Sequence, residues 1–272
     1  MFSILILTYN EENDIGRCLQ SVAWCDDIHI LDSYSTDNTI KIASNFNVNI
    51  HYKKFINYSD QRNFGLKNIS YKYKWLFILD ADECMPILLK DKICNFLNNT
   101  DLKYTAVRVE RRDYIYNKWI KHTQITRYYI RLVQHTKVHY IREINEVLIP
   151  NGEVHDLNSY FNHYPFSKGI SHWIDRHNRY STLEAHKAFS DRIKGTNYSL
   201  SLALGSSDYN IRRFHLKGIY YMLPLRPLLK FIYMYIYRGA ILDGYEGFLY
   251  TTLQCLYEYF ITVKEKELLY NR

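Results

Sequence analysis

Trp75-Leu76-Phe77-Ile78-Leu79-Asp80-Ala81-Asp82-Glu83 is the stretch that decides how this chain is read. Five large apolar residues followed at once by acids describe a strand buried on both faces, as in a parallel sheet, that surfaces at its C-terminal end. Two carboxylates one residue apart form a hard-oxygen site that suits a divalent cation carrying a diphosphate, and so points to nucleotide-sugar chemistry. Inside a strand Asp80 and Asp82 would face the same side. At a strand end the chain turns and the two can diverge, one to a metal and one to a ribose. An Asp-x-Asp turn taken alone is equally a solvated strand end, so the surroundings must decide.

Those surroundings alternate strand and helix. Phe2 to Leu7 is an apolar strand, and Asp14 to Trp24 carries Ile15, Cys18, Leu19 and Val22 at helical spacing. Asp27 to Leu31 is a second strand, Ser35 opens a second helix, and Val48 to Tyr52 is a third strand. Tyr58 to Ile69 reads as a helix before the Trp75 strand, and Pro86 starts another, where its missing N–H costs nothing. Such alternation predicts an α/β fold with a mostly parallel sheet flanked by helices and ligands at the carboxyl ends of the strands. The polar candidates fall there: Thr8, Tyr9, Asn10 and Glu11 after strand one, Asp32 after strand two, Asp80 and Asp82 after strand four. Strand one is followed by no Gly-x-Gly-x-x-Gly and no Gly-x-x-x-x-Gly-Lys, which disfavours a dinucleotide fold and a P-loop and leaves a metal to hold the phosphates.

After Asp101 the pattern becomes mixed: Tyr104 to Glu110 and Thr126 to Gln134 are strand-like, with a polar-aromatic stretch between them. A long helix over Lys168 to Ser190 is expected to bury Ile170, Trp173, Ile174, His177 and Leu183. The division expected is residues 1–190 as the α/β domain and 191–272 as a basic, aromatic, helical region. In that region Pro224, Arg226, Pro227 and Lys230 break the apolar run Ile219 to Tyr237, which is too interrupted to span a bilayer. A segment lying on a membrane surface, a packed helix and an oligomer interface are the three readings of it.

The net charge of +7 is uneven: residues 1–100 hold 10 Lys and Arg against 12 Asp and Glu, while the rest hold 25 against 16. A basic second half suits a large anionic partner, a phosphate-bearing membrane surface or a nucleic acid, and no nucleic-acid module accompanies it. Five cysteines without Cys-x-x-Cys pairing indicate neither a disulfide framework nor a zinc knuckle, and lead to a reduced compartment, expected to be the cytoplasm. Met1 to Leu7 lacks a positive leader and reads as a first strand rather than a signal peptide.

The chain resembles the family-2 inverting glycosyltransferases of the GT-A fold and, more narrowly, the lipopolysaccharide-core β-glucosyltransferase group. The resemblance is carried by Ile6 to Glu12, Ile30 to Thr39, Gln61 to Leu66 and Trp75 to Glu83, in the expected order, and downstream by Tyr129 to Leu132, Asn145 to Val147, Asn162 to Tyr164 and Arg176 to Tyr180. It implies a nucleotide pocket of Thr8, Tyr9 and Glu11, with Tyr9 against the base, Asp32 at the base edge, Asp80 near the ribose, and Arg62 and Asn63 at the nucleotide or phosphates. It further implies Mg²⁺ or Mn²⁺ on Asp82, with His163 offered to the metal or diphosphate. Inverting displacement needs a carboxylate to take the acceptor's proton. Glu146 is expected to do this, since Asn145-Glu146 stands where the narrower group has His-Glu; Glu143 and Asp156 are the fallbacks. Arg131, Arg176, Asn178 and Arg179 are expected at the acceptor or on a lid.

The function expected is transfer of a hexose, glucose from UDP-glucose first, to an anionic inner-core glycolipid, at the inner face of a bacterial cytoplasmic membrane. The same chemistry on a capsular, teichoic, lipid-linked or protein acceptor is the alternative. A basic nucleic-acid-binding protein is the reading from another class.

Overall fold

In the computed structural model, residues 1–99, 103–142, 146–207 and 209–271 are described. In chain order the elements are β1 Ser3–Thr8, α1 Ile15–Val22, β2 Ile28–Asp32, α2 Thr39–Ala43, β3 Asn49–Tyr52, α3 Tyr58–Asn68, β4 Trp75–Asp80, β5 Glu83–Cys84, α4 Ile87–Asn99, β6 Tyr104–Ile115 and β7 Lys118–Trp119. There follow β8 Tyr128–Gln134, β9 Val138–Ile141, β10 Val147–Pro150, β11 Glu153–His163, α5 Gly169–Ile193, α6 Leu200–Gly205, α7 Tyr209–Met222, α8 Arg226–Phe231 and α9 Gly244–Tyr270. The chain forms two compact units, residues 1–117 with 126–167, and residues 118–125 with 168–272. The boundary expected at residue 190 falls inside α5.

The first unit is a sheet in the order β3-β2-β1-β4-β8-β6-β11-β5. β3, β2, β1 and β4 run parallel, β8 is antiparallel to both β4 and β6, and β11 is parallel to β6. Strand residues alternate between faces, and that period sorts the core into two layers. Ile4, Ile6, Ile28, Ile30, Phe77 and Leu79 pack under α1 and α4 with Ile15, Leu19, Leu89 and Ile93. Leu5, Leu31, Leu76 and Ile78 pack on the other face with Leu66 and Ile69 from α3 and its end. Gly65 is what lets α3 approach: a Cβ there would lie 2.6 Å from Leu5 Cδ2.

The same alternation aims the polar residues. Thr8 and Asp32 continue the Ile4-Ile6 and Ile28-Ile30 lines and are register partners on the α1 face. Asp80 continues Leu76-Ile78 and so emerges on the α3 face.

In the second unit, α5 and α9 pack together through Lys264 Nζ, which donates to Asn178 Oδ1 at 2.6 Å and Ser181 Oγ at 2.8 Å, and through Arg192 on Glu265 at 3.0 Å. The buried residues of α5 are Trp173, Ser181, Glu184, Ala185 and Ala188, whereas Ile174 and Leu183 are exposed. The expected apolar face is therefore corrected. Small residues, and a Glu184 that accepts from Lys217 and Tyr221, line the buried side of this helix.

Candidate active site

The loops after β1 and β2 brace each other. Asn10 N–H donates to Ser35 Oγ at 2.9 Å, Thr36 N–H to Asn10 Oδ1 at 2.8 Å, Glu11 N–H to Thr39 Oγ1 at 2.7 Å, and Asn38 to Glu12 Oε2. Asp32 is fully buried and accepts from Thr8 Oγ1 at 2.8 Å, Ser35 N–H at 2.7 Å and the Ser35 hydroxyl. Three of the roughly four acceptor positions of its carboxylate are thus filled from within the fold. Tyr9 is exposed, and so are Tyr34 and Tyr52, whose rings lie 5.7 Å apart at the ends of β2 and β3. This aromatic pair escaped sequence reading; the signal available was Tyr34 inside the Asp32-to-Thr39 turn, where it adopts a φ of +63°.

Beside them a chain of alternating charge crosses the sheet end. Arg62, on α3 and thus on the face where Asp80 emerges, donates from Nη2 to Asp80 Oδ1 at 2.8 Å and from Nε to Glu146 Oε1 at 2.9 Å. Its Nη1 is buried without a hydrogen-bond partner among the described residues. Arg131, from β8, donates to Asp80 Oδ2 at 3.2 Å and to Glu83. Burial would raise Asp80, but the two guanidinium groups hold it well below the usual carboxylate range. Burial, with the negative charge of Asp80, pushes Glu83 up to about 7 against the pull of Arg131. Arg131 was expected at the acceptor or a lid; it is 6% exposed and serves as a counter-ion beneath Asp80. Asn63 binds the backbone of Tyr140 at both ends of its amide, each at 2.8 Å, which anchors β9 to α3.

The third group follows from strand register. β5 pairs antiparallel with β11, setting Glu83 opposite His163 and bringing the neighbouring Asp82 to the imidazole; β6 pairs with β11 so that Asp113 lies beside the same histidine. His163 Nε2 is 3.4 Å from Asp82 Oδ2, and Nδ1 is 2.7 Å from Asp113 Oδ1. Asp113 is itself held by Arg111 at 2.8 Å. Burial would lower His163, but Asp82 and Asp113 on its two sides outweigh burial and Arg111 and raise it to about 9. Sequence reading missed Asp113, although Val107, Val109, Arg111 and Asp113 form a period-two line that turns from apolar to charged, the signature that revealed Thr8.

Among the described residues no three His, Cys, Asp or Glu side chains could hold a metal by themselves. Asp82 and His163 present one carboxylate and one imidazole nitrogen, with a carboxylate orienting the ring from behind. That partial donor set fits a divalent cation whose remaining ligands are diphosphate oxygens and water.

Glu143 and Asn145 lie outside the described residues. Asp156 is exposed on β11, paired with Arg108 at 2.6 Å and roughly 20 Å along the strand from His163. Arg176, Asn178 and Arg179 belong to α5 of the second unit, where Asn178 anchors Lys264.

A mostly parallel sheet with helices on both faces and acidic strand ends defines an α/β fold whose site lies at the carboxyl ends of its strands. The family described as Glycosyl transferase family 2 matches residues 3–168, and the chain belongs to that family. It is similar to the lipopolysaccharide core biosynthesis glycosyltransferase LpsC of Rhizobium meliloti (strain 1021), with 24% identity over 272 residues, covering 96% of this chain and 90% of that protein. A shorter likeness, 41% over 95 residues, links 32% of the chain to 21% of the SPbeta prophage-derived glycosyltransferase SunS of Bacillus subtilis (strain 168). Among solved structures it shares its fold with the mannosyltransferase PcManGT from Pyrobaculum calidifontis, determined with GDP-Man and Mn²⁺. That match has a TM-score of 0.50 and 14% identity, over 97% of this chain and 86% of that one. The expected fold class and the glycosyltransferase activity stand on these findings.

Proposed function

We propose that the chain is a metal-dependent, inverting transferase that moves a hexose from a nucleoside diphosphate sugar, UDP-glucose first, to an inner-core sugar of a lipopolysaccharide or lipooligosaccharide acceptor. The observation that carries the donor half is Asp82 Oδ2 and His163 Nε2 at 3.4 Å, with Asp113 behind the ring. Mg²⁺ or Mn²⁺ held there would neutralise the charge that develops on the leaving diphosphate. Asp82 and His163 would hold such a cation, and His163, which its two flanking carboxylates raise to about 9, would have to give up its Nε2 proton to do so.

The protein's own groups do the rest. Tyr9 and the loops bound to Asp32 take the base, and Asp80, kept ionised by Arg62 and Arg131, accepts from the ribose. The unpartnered Nη1 of Arg62 is a buried donor suited to a phosphate oxygen. Glu146 takes the acceptor hydroxyl's proton as that oxygen attacks the anomeric carbon from the face opposite the leaving group. Its pairing with Arg62 ties it to the donor side of the site. The likeness to LpsC over nearly the whole chain supports the lipopolysaccharide-core acceptor.

The test is nucleoside diphosphate release from UDP-glucose, UDP-GlcNAc, UDP-galactose and GDP-mannose, with Mn²⁺ or EDTA and with deacylated core oligosaccharide as acceptor. Turnover of one donor that EDTA abolishes and Glu146→Gln reduces at least about a hundred-fold, with donor binding retained, is the expected result. Turnover of no donor, or turnover indifferent to EDTA, would overturn the reading.

A further inference from the structure

In the second unit, α8 and the π-helical turn that continues it, Ile232–Tyr237, are inside out. The inward face is charged along α8, and Met234 is buried beneath the turn that follows. Arg226, 2% exposed, donates to Thr262 Oγ1 at 2.9 Å and Glu265 Oε2 at 3.2 Å, and Lys230 reaches Gln254 Oε1 at 3.4 Å and Glu258 at 3.7 Å. The outward face is apolar: Leu225, Leu228, Ile232, Tyr233, Ile236 and Tyr237 are all exposed, the last two at 67% and 80%. Steps of three and four residues align these side chains as one stripe, the reverse of the pattern by which a helix on a water-soluble unit buries its apolar side. Burying Arg226 and Lys230 costs desolvation that α9 offsets, while the leucines and isoleucines stay in water; an apolar phase outside the helix removes the second cost.

The surrounding charge says which phase. From Tyr209 to Leu242 the sequence contains six Lys and Arg and no Asp or Glu; Lys217, Arg226 and Lys230 are paired with Glu184, Glu265 and Glu258 of neighbouring helices, which leaves Arg212 and Arg213 as the basic residues of this segment that face solvent. Arg212 and Arg213 are exposed. Tyr233 and Tyr237 stack at 5.6 Å on the outward face, amphipathic rings suited to headgroup level. Among the described residues no helix is long and apolar enough to cross a membrane.

We infer that the stripe from Leu225 to Tyr237 is a membrane-docking surface that lies in the plane of a bilayer and inserts its aliphatic side chains among anionic headgroups. Residues after Ser167 supply it, and it stands independently of the donor site.

The experiment is flotation of the full-length chain with vesicles of phosphatidylcholine, alone or equimolar with phosphatidylglycerol, alongside light scattering for oligomeric state. The wild-type chain should float with the anionic vesicles. Each inserted aliphatic side chain is worth on the order of ten-fold in partition, so Leu228→Gln with Ile232→Gln and Ile236→Gln should lose at least about a hundred-fold. Ile236→Gln alone should lose about ten-fold and guards against misfolding of the triple variant, whose thermal melt is measured in parallel. Arg212→Glu with Arg213→Glu should weaken binding to anionic vesicles about ten-fold or more without affecting any residual binding to neutral ones. Wild-type chain that floats with neither vesicle, or variants that float like wild type, would overturn the proposal. A dimer that the triple variant converts to monomer, without lipid binding, would assign the face to a second copy.

Discussion

Replacing Arg62 with methionine removes the link between the Asp80 and Glu146 sides of the site while keeping a long apolar stem in its place. Three contacts go: Nε to Glu146 at 2.9 Å and Nη2 to the two Asp80 oxygens at 2.8 and 3.2 Å. Breaking a buried pair costs about 3 to 5 kcal/mol because a charge is left behind. Here Asp80 keeps Arg131, and the Glu146 side chain is 18% exposed and can take up water. The low end, about 3 kcal/mol, is therefore expected, which for a chain of this size lowers the melting temperature by roughly 6 to 12 °C. Glu146→Gln alone leaves Arg62 with Asp80 and should cost about 1 kcal/mol. In the double variant the Arg62–Glu146 bond cannot be lost twice, so urea denaturation of the four proteins should return a coupling of about 1 kcal/mol. Additivity within about 0.3 kcal/mol would refute the argument, since it would mean that Arg62 does not hold Glu146 in solution.

Two further outcomes follow from other parts of the fold. His177 stacks on Trp173 at 3.5 Å, with Nδ1 donating to the Trp173 carbonyl at 2.8 Å; burial, aided by Arg176 and Lys230, lowers it to about 4. Between pH 6.5 and 4 the unfolded chain binds a proton that the folded one refuses, so this contribution is complete above pH 6.5 and is lost as pH falls toward 4. After allowance for water at the partly open ring it amounts to about 2 kcal/mol, and His177→Phe should flatten the stability profile in that window; parallel profiles for the two proteins would contradict it. Gly65→Ala sets the helix preference of alanine, about 1 kcal/mol, against a Cβ at 2.6 Å from the fully buried Leu5, and overpacking of about 2 kcal/mol should win. A more stable Gly65→Ala protein in urea would show that α3 is not seated on β1 as described.

The parallel half of the sheet was legible because β1, β2 and β4 are runs buried on both faces, each closed by a polar strand end: Thr8, Asp32, Asp80. The second half was not. β11, Glu-Val-His-Asp-Leu-Asn-Ser-Tyr-Phe-Asn-His, has no apolar run and is stabilised by pairing with β6 across register shifts, which no local pattern encodes. The contact of Asp113 with His163 depends on that register and stayed hidden, whereas Asp82 and His163 were each readable as single residues. Arg62 was placed at the phosphates from its motif, but its bond to Glu146 spans 84 residues of sequence. In the second unit the reading failed for a different reason. Buried charge on Arg226, Glu184 and Glu258, and exposed leucine and isoleucine, invert the rule by which periodicity assigns a buried face.

The central claim is that Asp82 and His163 hold a divalent cation together with the donor's diphosphate. Electron paramagnetic resonance of Mn²⁺ titrated into the protein with UDP tests it directly, because the six-line signal of the free aqua ion disappears on binding. The account predicts that UDP deepens the loss of signal for the wild-type chain and that Asp82→Ala restores the free-ion spectrum, with affinity reduced at least about ten-fold. A spectrum indifferent to UDP, or identical titrations for Asp82→Ala and wild type, would contradict it.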